Sequence, residues 1–207
     1  MTGTPLIAAL ATATLSGCGH SSPAKETRPT AVHQKTATAA QLRDELLSAP
    51  TGSKPDHTIA LAPRSTLDLD QFVRGMFVAK SITAEKEYLQ EQGFVHAAET
   101  NWDAADGTGA VIFLIKFRGA AEARGYVDSL SASMATSASA LAGLPDGRIL
   151  TADSADSYGD IVMQARFTVG DIAVEMHYYS HATADRAGLT ALAQAQYARL
   201  TKSSTTA

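Results

Sequence analysis

Cysteine is nearly absent from this chain: Cys18 is the single one among 207 residues. An intrachain disulfide framework and a cysteine-based zinc site are thereby excluded. Aromatic residues are scarce, at 6%. The apolar complement is filled out by 39 Ala, so the core is expected to be padded with small side chains. Charge is also sparse and leans acidic, with 17 basic against 21 acidic residues and a net charge of −4. No long basic run occurs. A nucleic-acid binder needs a clustered basic face to grip phosphates, so nucleic acid is not an expected partner. No apolar run reaches the ~20 residues that a membrane-spanning helix requires. What remains is a chain of ordinary hydrophobicity, at 45%, and of a length that suits one domain.

The one extended apolar run is Leu6–Leu15, LIAALATATL. It is too short to cross a bilayer and the right length for the apolar region of a secretory signal peptide. Leu15-Ser16-Gly17-Cys18 follows at once. Leucine, two small residues and cysteine at this junction resemble the lipobox of bacterial lipoproteins. The resemblance implies cleavage before Cys18 and attachment of a diacylglyceryl group to its thiol. Residues 1–17 would then be the signal peptide and Cys18 the site of lipid attachment, with acylation by a palmitate-type chain. Met1 to Pro5 carry no Lys or Arg. The positive charge usual there would come from the amino terminus or from a start further upstream.

Residues 18–38 read as a tether. From Gly19 to Thr38 the only large apolar residue is Val32, so nothing there can bury enough surface to offset the entropy of ordering. As a flexible coil this segment would reach roughly 25 Å, enough to hold a domain off the lipid headgroups. His20 and His33 fall in it and read as solvated linker residues.

The folded domain is expected over residues 39–202, with a polar tail at 203–207. Thr38 and Gln41 fit a capping box, and so do Asp68 and Gln71. Leu42, Leu46 and Leu47 form a first apolar stripe. Leu69, Phe72, Val73, Met76 and Phe77 recur at helical spacing. A third helix is predicted from Thr83, with Gly93 just past its end. The period then switches to two. Phe94 to Trp102 and the apolar run Ala110–Phe117 flank Asp106-Gly107, a type I′ hairpin signal. That turn predicts Trp102 opposite Val111, Thr100 opposite Phe113 and Ala98 opposite Ile115, with most large apolar residues on one face. A helix carrying Ala123, Tyr126, Val127, Leu130 and Met134 follows. Pro145-Asp146-Gly147 reads as a turn and Arg148–Ala152 as a short strand.

Ile161–Val169 and Ile172–Tyr179 flank Gly170-Asp171, a type II′ signal. The turn predicts Phe167 opposite Val174 on a buried face. It also puts Arg166 opposite Glu175 on an exposed face, as an ion pair worth under ~1 kcal/mol. Leu189, Leu192, Ala193, Tyr197 and Leu200 mark a final helix. The fold class is therefore α+β: one antiparallel sheet of about five strands with helices packed on it. The two hairpin-then-helix units suggest a weak structural duplication. With its Ala-rich composition, lipobox, polar tether and α+β order, the chain resembles small secreted lipoproteins of actinobacteria of the Mog1/PsbP-like and sensor-domain-like kinds.

Signals for chemistry are weak. His177, His181 and Asp185 are four apart, but a strand ends between them, so a metal site is not expected. His96 lies among apolar residues and reads as a core-edge histidine. Asp153, Asp156 and Asp160 do not have calcium-loop spacing. There is no G-x-S-x-G elbow and no phosphate-binding glycine loop. No catalytic, cofactor or metal site is therefore expected, and no cofactor. The expected function is a lipid-anchored binding, sensor or accessory module on the outer face of the plasma membrane, with a ligand or envelope protein as partner. The alternative is an envelope hydrolase whose catalytic residues are dispersed along the chain.

Overall fold

The structure is a computed structural model that describes residues 37–56, 61–77, 79–133, 138–151, 159–181 and 183–205. The chain divides into Met1–Ala31, outside the described residues, and a unit spanning Val32–Ala207. The signal-peptide and lipobox reading, Cys18, His20, His33, Met134, Asp153 and Asp156 all lie outside the described residues.

In chain order the elements are α1 Ala39–Asp44, β1 Ser65–Leu67, α2 Leu69–Met76, α3 Ile82–Glu91, β2 Phe94–Asp103, β3 Thr108–Phe117, α4 Ala120–Ser133, β4 Ser139–Ala140, β5 Arg148–Thr151, β6 Asp160–Val169, β7 Ile172–His181 and α5 Arg186–Thr205. The strands form one sheet of seven, in the order β1-β2-β3-β7-β6-β5-β4, and every pairing is antiparallel. About five strands were expected. The two that sequence reading missed are the edges β1 and β4, of 3 and 2 residues. Elements that short show no alternation to read.

The β6–β7 hairpin has the predicted register, with Val169 opposite Ile172 and Phe167 opposite Val174. Gly170 sits at φ 58°, the positive φ that the first position of a type II′ turn demands. The β2–β3 hairpin is one residue off the expected pairing: Trp102 faces Ala110, and Thr100 faces Ile112. The cause is the loop. Gly107 donates to the Ala104 carbonyl at 3.1 Å, and Ala104 donates to the Thr108 carbonyl at 2.7 Å. Gly107 is at φ 82°, but Asp106 is not in the left-handed region that a type I′ turn needs. Asp106 instead accepts from the Thr108 amide and hydroxyl at 3.0 and 2.7 Å. The loop is thus one residue longer than Asp-Gly alone suggests, in the manner of a turn followed by a glycine bulge.

That slip has a large effect, because strand side chains alternate with period two. Ala98, Trp102, Ala110, Ile112 and Leu114 face one core, while Ala97, Val111, Phe113, Ile115 and Phe117 face a second. The large apolar residues do not gather on one face as expected. The sheet is covered on both. On the first face α1 contributes Leu42 and α5 contributes Leu189, Ala193 and Leu200. On the second, α2 contributes Phe72 and Val73, α3 Leu89, and α4 Ala123, Tyr126 and Val127. The suggested duplication therefore holds for the hairpins, whose strands β3 and β7 meet at the centre. It fails for the helices that follow them, which cover opposite faces.

The capping boxes at Thr38–Gln41 and Asp68–Gln71 form as predicted. Helix α3 begins at Ile82, behind Ser81, rather than at Thr83. Gly93 follows it at φ 79°, as a C′ glycine does. Helix α5 continues to Thr205, where a polar tail was expected: Thr201 and Ser203 bond back to carbonyls one turn earlier.

Candidate functional site

The register places charged and amide side chains inside the second face. One cross-strand row runs Ser65, Glu99, Phe113, Glu175, Arg166 and Arg148; the next runs Asn101, Val111, His177, Gln164 and Leu150. Glu99, Asn101, Glu175 and Arg166 are all buried.

The Arg166–Glu175 pair was expected to be exposed. Only 4% and 3% of the two side chains are exposed, because the face they share lies under α4. Glu175 is surrounded by donors. Arg166 gives Nη2 at 2.9 Å and Nε at 3.3 Å to Oε1. His177 Nε2 lies 3.3 Å from the same oxygen, and the Tyr126 hydroxyl donates to Oε2 at 3.1 Å. Arg166 also donates to Gln164 at 2.7 Å. Burial alone would raise the Glu175 carboxyl, but the His177 hydrogen bond and the Arg166 charge outweigh it and hold the group at about 2. Glu175 is therefore a fixed anion. Tyr126, buried beside it, is pushed well above the usual phenol range by burial and by that charge. His177 keeps 21% of its side chain exposed and stands edge-on to Phe113, with ring centres 6.4 Å apart. It is the partly exposed partner of the buried pair.

Across Phe113 lies a second polar group. Asn101 Nδ2 donates to Glu99 Oε1 at 2.6 Å and to the Leu61 carbonyl at 3.3 Å. Its Oδ1 accepts from the Asp56 amide at 3.1 Å. Ser65 reaches Glu99 Oε2 at 3.4 Å. Burial pushes the Glu99 carboxyl up to about 7 against the pull of Asn101 and Ser65, and Asp56 adds to the rise. Partly exposed Leu61, Met76, Phe77, Leu130 and Tyr179 belong to the same layer. The face thus combines apolar area with a few placed polar groups.

The residues singled out in the sequence do not converge. His177 is committed to Glu175. His181 is 71% exposed and 3.3 Å from Asp160. Asp185 accepts from the Tyr178 hydroxyl at 3.1 Å and the Gly188 amide at 2.9 Å, at the start of α5. His96 pairs with Lys116 across β2 and β3. Burial, and then the Lys116 charge, lower its pKa. Lys116 is ion-paired with Asp171. Among the described residues, no group of three His, Cys, Asp or Glu is placed to hold a metal ion. Glu99, Asn101, Asp56 and Tyr126 were missed. A charged residue in the middle of a strand was the available signal for Glu99, and the displaced register hid that it faces Phe113. A separate open groove of about 480 Å³ lies at the start of α4, beside the exposed Arg124–Asp146 pair.

The chain resembles, in fold, the extracellular domain of PknH from Mycobacterium tuberculosis. The likeness covers 84% of this chain and 100% of that one, with a TM-score of 0.53 at 10% sequence identity. It establishes a shared architecture. No protein-family model matches the chain, and no curated protein matches it in sequence.

Proposed function

We propose that the chain is an extracytoplasmic binding module of sensor or accessory type, held on the outer face of the plasma membrane by lipid on Cys18. The observation that carries this reading is the fold likeness, which takes in the whole of the extracellular domain of PknH. Of the small secreted lipoproteins that the sequence resembles, the sensor-domain-like kind is the one it favours. Leu15-Ser16-Gly17-Cys18 supplies the means of attachment. No helix among the described residues is long and apolar enough to cross a membrane, and two acyl chains, at about 0.8 kcal/mol per buried CH₂, give stable anchoring without one. The part of the second face left partly exposed at His177 and Gln164 is the surface offered to a ligand.

Protease added to intact cells is the test. Digestion of the domain outside the cells, with a cytoplasmic marker spared, is the expected result. Protection of the domain until the cells are lysed would contradict the reading.

A further inference from the structure

Among the described residues, the polar group around Glu99 is the one that neither the ion-pair network nor the apolar packing accounts for. Its geometry has a specific consequence. The amide of Asn101 holds two separate points of one segment, the Asp56 amide and the Leu61 carbonyl. Glu99 holds Asn101, through the shortest bond of the group, 2.6 Å. Just before Asp56, Lys54 exchanges backbone bonds with Asp103 at 2.9 and 2.7 Å. Beyond that backbone pairing, the Asp56 amide and the Leu61 carbonyl are both held to β2 by one side-chain amide that leans on one carboxyl.

Among the described residues, the surroundings of that carboxyl give it no cation. On β1 its neighbour is Ser65 and on β3 it is Phe113. From α2 the buried residues of this layer are Phe72 and Val73. The charged group that faces it is Asp56, an anion. Further along the row, Glu175 already has Arg166. Arg64, next to Ser65, spends its guanidinium on the carbonyls of Arg43, Leu46 and Leu47. A protonated Glu99 fits this setting, since its carbonyl oxygen still accepts from Asn101. An ionised one places an unmatched charge in a dry site beside a like charge.

We propose that Glu99 is a buried proton switch, which seats the Asn101 staple on Asp56 and Leu61 when protonated and loosens it when ionised. The direction follows from linkage. A carboxyl raised to about 7 in the closed site and near the ordinary 4.5 when hydrated favours opening as pH rises through that window. Asp56 and Leu61 are held tightly in acid and more loosely above neutrality. This inference does not depend on lipid attachment or on the sensor reading.

Hydrogen exchange on the full chain in detergent tests it, with rates corrected for the intrinsic pH dependence of exchange. From pH 5 to pH 8 the opening equilibrium read at the Asp56 amide should rise by between one and two orders of magnitude, the scale set by such a shift. The Ile112 amide in the sheet centre should not follow. Glu99→Gln mimics the protonated acid and should remove the pH dependence. A flat response in the wild type, or the same response in Glu99→Gln, overturns the proposal. Should Glu99→Gln fail to fold, carbon-13 titration of the wild-type Glu99 carboxyl decides. A midpoint near 7, lowered by Asp56→Asn, is expected. A midpoint near 4.5 overturns it.

Discussion

Glu99 and Glu175 stand in one cross-strand row, separated by Phe113, and their surroundings drive them in opposite directions. Glu175 has Arg166, His177 and Tyr126 as donors and is held at about 2. Glu99 has an amide, a hydroxyl and a nearby anion and is pushed up to about 7. Both carboxyls are buried in the same layer, so the difference comes from their partners rather than from depth.

The two shifts predict the shape of the pH–stability curve. Glu175 is depressed, so its contribution is present above about 4.5 and is lost as pH falls towards about 2. Glu99 is raised, so its contribution is full below about 4.5 and is lost as pH climbs towards about 7. Their combined effect peaks near 4.5, more acid than the usual optimum of about 5–8. Urea midpoints measured from pH 2 to pH 9 should fall on both sides. Glu175→Gln should flatten the acid flank. A plateau running unchanged through neutrality would contradict the Glu99 assignment.

Arg166→Ala should be severe. It leaves Glu175 charged and buried without its cation, a change that costs about 3–5 kcal/mol. An exposed pair would have lost under ~1 kcal/mol. Urea unfolding near neutral pH separates the two, and a loss below 1 kcal/mol would mean that the pair is solvated.

Phe167→Ala should also cost about 3–5 kcal/mol, by opening a cavity. Phe167 is fully buried, with its ring 6.0 Å from that of Tyr197 on α5. The same unfolding experiment reads it. A small loss would show that α5 does not close this side of the sheet.

The contrast between the hairpins shows how far the sequence could be read. Gly170-Asp171 has one suitable turn, and the register followed from it. Asp106-Gly107 fits a two-residue turn and also the end of a longer loop, and the side chain of Asp106 decided for the longer one by bonding to Thr108. A single slipped residue put Glu99 opposite Phe113 and Asn101 opposite Val111, a pairing that the two-residue turn does not give. The Arg166–Glu175 pairing was legible because it is local to the hairpin. Its burial was not, because it depends on where α4 lies, and helix α4 is joined to the sheet through β3 rather than through β6 or β7. Capping boxes are local and were read correctly. The edge strands β1 and β4 are 3 and 2 residues long and left no pattern of their own, and the residues paired with β1 lie thirty or more positions away in sequence.

We propose that a lipid on Cys18 holds this domain outside the cell. Intact mass spectrometry of the protein extracted from membranes tests it most directly. The expected product is a chain that begins at Cys18 and carries the added mass of a diacylglyceryl group. A chain that retains residues 1–17, or one cleaved before Cys18 with no lipid mass, would contradict it.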